Sequence, residues 1–160
     1  GLEEDGLPVL NWSQQDADFI GAEAELRYSF APNRSGHWQL FGFGDIVDAE
    51  LADNTDVPLL PPKRLGLGLD WDREGLAGNL LWIHAYKQDN IAPFETPTPG
   101  YDLFNAEIAY TVPSTTGLDW QVYLQGQNLI DEDIRNSTSY LKDFAPQIGR
   151  NIVMGVRAYF

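Results

Sequence analysis

The sequence predicts an all-β protein, an antiparallel up-and-down sheet of the kind that curls into a transmembrane β-barrel. Three observations point there. Apolar and polar residues alternate with a period of two over most of the chain. One of the two faces so defined is nearly free of charge over the ~9–11 residues that a strand needs to cross a bilayer. Short and long connections alternate strictly, as in a meander with one tight end and one elaborated end.

Residues 8–30 read as one long strand. From Phe19 to Phe30, Ile20, Ala22, Ala24, Leu26, Tyr28 and Phe30 oppose Gly21, Glu23, Glu25, Arg27 and Ser29. A helix would mix the two sets, whereas a strand separates them. The stretch from Ser13 to Asp18 lacks Gly, Pro and Asn, so no tight hairpin is expected to divide this strand. Residues 37–51 form the next strand, with phase lost near Gly42 to Gly44, which predicts a bulge. In residues 63–71, Leu65, Leu67, Leu69 and Trp71 alternate with Arg64, Gly66, Gly68 and Asp70. Residues 79–87 carry apolar side chains on both faces and give no phase. In 101–112, Phe104, Ala106, Ile108, Tyr110 and Val112 oppose Asn105, Glu107 and Thr111. In 118–128, Trp120, Val122 and Leu124 oppose Asp119, Gln121, Tyr123, Gln125 and Gln127. The last strand sets Ile152, Met154, Val156, Ala158 and Phe160 against Asn151, Gly155, Arg157 and Tyr159. Residues 31–36, 73–76 and 113–117 are short turns; 52–62, 88–100 and 130–150 are long loops.

Composition narrows the function. The chain has 160 residues, a one-domain length, and a net charge of −14. Nucleic-acid binding needs a basic face and is excluded. There is no cysteine, so disulfides, thiolate metal sites and cysteine nucleophiles are excluded as well. With only two histidines, His37 and His84, the chain cannot build a histidine-rich metal cage. No apolar run reaches the ~18 residues of a membrane helix. The first residue is Gly and no signal peptide is visible, so a processed chain or a piece of a longer one is expected.

A soluble sandwich also alternates, but its wet face is usually rich in Lys, Thr and Ser. Here the polar face carries Glu, Gln, Arg, Asn, Tyr and Gly, which suits a barrel interior. Aromatics near strand ends, namely Tyr28, Phe30, Trp38, Trp71, Tyr110, Trp120 and Phe160, suit interfacial girdles. Seven strands is an odd number, while bacterial single-chain barrels have even numbers. Seven strands alone would also leave unpaired edges in lipid. A segment of a larger wall is therefore expected. Two other readings stand beside it: a small autonomous eight-stranded barrel with a structural or adhesive role, and a soluble carbohydrate-binding sandwich using Trp12, Trp38 or Trp82 as stacking platforms.

The segments DGLPVLNWSQQDADFIGAEAEL (5–26), VDAELAD (47–53), LPPKRLGLGLDW (60–71), ETPTPGYDLFNAEIAY (95–110) and QNLIDEDIRNSTSYLKDFAPQIGRNIVMGVRAYF (127–160) follow one another in a familiar order. Together they resemble the C-terminal end of TonB-dependent outer-membrane receptors. The LKDFAPQIGRN-type ending is similar to the branch that includes zinc-uptake receptors. The resemblance implies a 22-stranded barrel around an N-terminal plug, with residues 1–160 as roughly its last seven strands and the plug and earlier strands outside this chain. It implies import of a metal ion, metal complex or other scarce nutrient across the bacterial outer membrane, energised by TonB through the plug. It also implies a C-terminal signal read by the barrel-assembly machinery. Gly155, Ala158 and Phe160 fit that signal, while Val153 departs from it.

Other candidate residues carry less. His84 shares a face with Tyr86, with Asp89 beyond, and is a marginal metal ligand. In the outer loops, Asp131, Glu132 and Asp133 are candidates for an acidic mouth that concentrates cations. The plainer alternative is a solvated surface that meets lipopolysaccharide and outer-membrane lipid. Arg135, Lys142 and Arg150 are expected to pair with Asp131, Asp133 and Asp143 and hold the last loop in shape. No enzymatic constellation is recognisable. Glu23 and Glu25 are ordinary lumenal acids, and LGLGLD (65–70) is a strand rather than a phosphate loop. No cofactor is expected.

Overall fold

The computed structural model describes residues 3–4, 7–8, 14–112 and 117–159. A two-stranded ribbon, β1 (Glu3–Glu4) and β2 (Leu7–Pro8), precedes one seven-stranded sheet. The sheet consists of β3 (Ala17–Ser29), β4 (His37–Leu51), β5 (Arg64–Arg73), β6 (Leu76–Ala85), β7 (Tyr101–Val112), β8 (Asp119–Gln127) and β9 (Asn151–Tyr159). Every strand pairs antiparallel with its sequence neighbours, and the order is simply β3 to β9. Among the described residues there is no helix. Among the described residues the seven-stranded sheet has no second sheet beside it other than the two-stranded ribbon, which removes the sandwich, and its seven strands do not make an eight-stranded barrel.

The expected strand over 8–30 is shorter than its pattern. Leu7–Pro8 belongs to the separate ribbon, and the sheet strand begins at Ala17, opposite Leu51. Beyond Leu51 the partner turns away, so residues 14–16 have no ladder to join; Ala52 instead donates its N–H to the Asp16 carbonyl at 3.0 Å. Proline cannot donate to a central ladder, which suits Pro8 to a ribbon end.

The expected bulge at Gly42 to Gly44 is absent. β4 keeps continuous register with β3 and, from His37 to Asp45, with β5. What looked like lost phase is an exchange of side-chain size between the faces. Gly42 and Gly44 lie opposite Leu67 and Leu65, while Phe41 and Phe43 point to the other face opposite Gly68 and Gly66. A Cβ at Gly66 or Gly68 would overlap the ring of Phe43 or Phe41. Each ring therefore lies flat over a glycine of the next strand. Tyr123 covers Gly155 in the same way on the same face. Gly68→Val should cost about 1–3 kcal/mol by overpacking. Gly42→Ala, whose Cβ would lie 3.2 Å from the movable Leu67 Cδ2, should cost much less. Urea unfolding of the protein refolded into lipid vesicles would measure both; equal midpoints would remove the ring-over-glycine argument.

Register also phases β6. Leu80, Trp82 and His84 share a face with Leu69, Leu67 and Leu65 of β5 and with Ala106, Phe104 and Asp102 of β7. Across the sheet this apolar face carries Leu26, Leu40, Leu67, Leu80, Ile108, Leu124 and Met154. Many of its side chains are exposed, including Ile20 (77%), Leu26 (75%) and Met154 (77%). Apolar area on this scale is not left in water by a soluble monomer, and lipid is the medium it fits. Acids appear on this face only toward the long-loop end, at Asp18, Asp48, Glu50 and Asp102. The opposite face holds Asp45 paired with Arg64 at 3.1 Å, Asn79 beside Asp70, and Arg157 3.8 Å from Glu107.

The short-turn end is tight. Glu74 and Gly75, with φ of 49° and 86°, join β5 to β6 through the two left-handed residues that a type I′ hairpin requires. Trp38 packs on Trp71 across β4 and β5 at 5.7 Å, and Tyr28 meets Phe30 edge-on at 4.9 Å. These rings, with Tyr110 and Trp120, form one aromatic belt at the short-turn end of the apolar face. Residues 113–116 of the third turn lie outside the described residues.

Candidate functional site

The three long connections, 52–63, 86–100 and 128–150, stand at one end of the sheet and lock onto one another. Their sequences explain the local shapes. In the first loop, Asn54 takes φ 62° and its N–H returns to the Leu51 carbonyl at 2.9 Å. Asp53 accepts from the Thr55 hydroxyl at 2.6 Å and from the Thr55 N–H at 3.1 Å. These bonds favour the carboxylate and hold the Asp53 carboxyl below its ordinary range, the hydroxyl contributing most. In the second loop, Gln88 and Thr98 exchange both backbone hydrogen bonds at 2.9 Å, pinching 88–98 into a closed lobe. In the third, the buried Asn128 is the organiser. Its Oδ1 accepts from the Glu132 N–H, and its Nδ2 donates to the Glu132 and Ile148 carbonyls, at 2.9 to 3.3 Å.

The lobes join through buried polar groups. The Leu60 carbonyl of the first loop accepts from Gln88 Nε2 (3.3 Å) and from Ser137 Oγ (2.9 Å), so one atom ties all three loops together. Lys142 of the third loop enters the second. Its ammonium donates to the Thr96 carbonyl and to Thr98 Oγ1, and sits 3.8 Å from Glu95 Oε1. The Lys142 side chain is 5% exposed and that of Glu95 10%. The other Glu95 oxygen accepts from the N–H groups of Leu59 and Ala92, each at 3.3 Å. Every charge that is buried here is thus paired and hydrogen-bonded, the condition under which burial is tolerable. Leu60, Ala85, Ala49 and Ile134 form the small apolar core beneath.

The loop cations behave partly as the sequence suggested. Arg135 pairs with Asp133 at 3.2 Å and also donates to the Lys142 carbonyl; Arg150 pairs with Asp131 at 3.5 Å. Lys142 does not pair with a neighbour on its own loop. Asp143 accepts instead from the Thr96 hydroxyl at 2.7 Å. Of the three outer acids, Asp131 and Asp133 are therefore in ion pairs, and Glu132 is tethered through its backbone to Asn128. The three loops hold eight carboxylates against five cations, so a modest negative excess remains.

His84 lies on the apolar face near the loop end. Its Nδ1 is 2.9 Å from Asp102 Oδ1, which also accepts from Trp82 Nε1 at 2.9 Å, and its ring meets Tyr86 edge-on at 4.7 Å. Asp89, expected beside it, pairs with Lys87. His37 sits at the short-turn end, 3.3 Å from Asp72. Among the described residues, no three metal-ligating side chains converge. Gly155 lies beneath Tyr123, whose ring also stacks on Arg157 at 4.0 Å. Ala158 is on the apolar face opposite Trp120, and Phe160 lies outside the described residues. The Lys142–Glu95 clasp and the Trp82–Asp102–His84 cluster went unseen in the sequence because their partners are 47 and 18–20 positions apart. A lone Lys and Glu in separate loops give no pattern. Knowledge of the β6–β7 register would have revealed the second cluster.

Comparison with known proteins agrees with this architecture. Residues 7–129 match the family model described as "TonB dependent receptor-like, beta-barrel". Among solved structures, one titled "Copper transporter OprC" superposes with a TM-score of 0.74 at 19% identity, over 91% of this chain. The chain spans 24% of that protein's length.

Proposed function

The chain belongs to the TonB-dependent receptor family, within its β-barrel, and on that premise we propose that it is the C-terminal part of the barrel wall of a bacterial outer-membrane importer. In this reading residues 1–160 supply about the last seven strands of a 22-stranded barrel, with the plug and earlier strands elsewhere in the receptor. The apolar face meets outer-membrane lipid, the polar face lines the lumen around the plug, and the interlocked loops face outward toward lipopolysaccharide. The observation that carries the reading is a seven-stranded meander with one apolar face whose acids are confined to the long-loop end, in a chain most of which fits this family. It acts as a wall and an entrance and does no covalent chemistry.

The cargo in this proposal is a metal ion or metal complex. The zinc-receptor look of residues 141–151 and the likeness to a copper transporter support it. Bare zinc needs three or four ligands, and none of the described side chains converge to offer them. Ligands therefore come from the plug and the other loops, while this segment supplies approach and shape. Metal uptake by cells carrying the full receptor, with and without TonB, tests the assignment. Receptor-dependent, TonB-dependent uptake is expected; equal uptake without TonB contradicts it.

The acidic mouth has its own test. Neutralising Asp131, Glu132 and Asp133 together (to Asn, Gln and Asn) should slow uptake of a cationic cargo roughly two- to threefold at low salt. The effect should fade as salt screens it. The change is small because Arg150 and Arg135 already offset two of the charges. A salt-independent loss of binding would put these carboxylates in the cargo site, and unchanged uptake at both salts would leave them as surface charge.

Gly155, Ala158 and Phe160 are proposed as the assembly signal. Phe160→Asp should lower receptor levels in the outer membrane far more than Tyr159→Ala. Equal surface levels for Phe160→Asp and wild type would end that proposal.

A further inference from the structure

The interlocked loops enclose a cleft that the transport reading does not use. It has a volume of about 310 Å³, at the lower end of small-molecule sites, and all three loops contribute to it. Pro58, Leu59, Pro93, Phe94 and Tyr140 give it apolar and aromatic walls, and Asp143 stands among them. Two of the wall residues are bulky side chains in the left-handed region, Leu59 at φ 60° and Phe94 at φ 71°. Such conformations are strained for residues with a side chain and gather at ligand clamps. Phe94 is held outward, 94% exposed, where water gives it no reason to be.

The charges choose the ligand. Lys142 is the cation of the cleft, and an ammonium has three donors. Two are hydrogen-bonded, to the Thr96 carbonyl and Thr98 Oγ1, and the charge is paired with Glu95 at 3.8 Å on a side chain only 5% exposed. Buried and already balanced by Glu95, this cation is not presented to an anion in the cleft. Asp143, by contrast, is exposed and in no ion pair among the described residues; its contact is the Thr96 hydroxyl. The cleft thus offers an uncompensated carboxylate beside aromatic faces, and both attract a cation.

The geometry points to a binding site for a compact organic ammonium ion with an apolar ring, seated against Phe94 and Tyr140 with its charge on Asp143. The site is at the outer surface and does not depend on the identity of the transported cargo. The test uses the purified full receptor in detergent and two probes of matched size, phenethylammonium and 3-phenylpropionate, titrated with saturation-transfer NMR. Phenethylammonium should bind at least tenfold more tightly than phenylpropionate. Asp143→Asn, which keeps an oxygen for Thr96, should remove most of that preference. Tyr140→Ala should weaken phenethylammonium several-fold, while Asp72→Asn, at the short-turn end, should do neither. Equal binding of the two probes, no binding of phenethylammonium, or binding indifferent to both Asp143→Asn and Tyr140→Ala would overturn the assignment.

Discussion

Lys142→Met should unfasten the outer loops while leaving the sheet intact. The substitution keeps the length of the side chain and removes its charge. It strands Glu95, 10% exposed, without its cation, and leaves the Thr96 carbonyl without the ammonium. Removing one partner of a buried pair typically costs about 3–5 kcal/mol. The lower end applies here, because Leu59 and Ala92 still donate to Glu95. At 1.4 kcal/mol per factor of ten, ~3 kcal/mol is roughly a hundredfold rise in loop opening. Hydrogen exchange on the full receptor reads this directly. The Gln88 and Thr98 amides, bonded to each other's carbonyls, should lose most of their protection, as should the Gln147 amide bonded to Ile134. Amides in β7 and β8 should not change. Adding Glu95→Gln should restore part of the protection, since the stranded charge is then gone. Unchanged exchange in Lys142→Met would mean that the three loops do not share a clasp.

Leu124→Arg should destabilise the membrane-inserted wall by about 2–4 kcal/mol, the cost of a cation on a lipid-facing strand near mid-bilayer. Leu124 sits between Ile108 and Met154 in the middle of the apolar face. Its neighbour Gln125 faces Glu107 and Val153 on the other side, and Gln125→Arg gains a carboxylate to approach. Gln125→Arg should therefore cost little. Folding of both variants into lipid vesicles under a urea titration would separate them. Equal destabilisation would contradict the face assignment.

The strands were readable because most of them obey one rule. An apolar residue every second position survives any register, so 63–71, 101–112, 118–128 and 151–160 were visible without partners. Phe41, Phe43, Gly42 and Gly44 broke the rule because side-chain volume, not polarity, decides that part of β4. The rings lie on the polar face over Gly68 and Gly66. β6 was mute for a related reason: Leu81 and Ile83 occupy its other face opposite Gly68 and Gly66, leaving no polar set to mark the phase. The Arg135–Asp133 and Arg150–Asp131 pairs were foreseeable from charge order within one loop. The Lys142–Glu95 clasp was not, because it is created only when hairpins bring separate loops to one end.

The central claim is that the alternating faces meet lipid on one side and lumen on the other. It is tested most directly along β8 in the full receptor reconstituted in bilayers. Single cysteines at 121, 122, 123, 124 and 125 would each carry an environment-sensitive fluorophore, with a quencher attached to the lipid acyl chains. Strong quenching is expected at 122 and 124 and little at 121, 123 and 125. Uniform quenching, or none at any of the five, would contradict it.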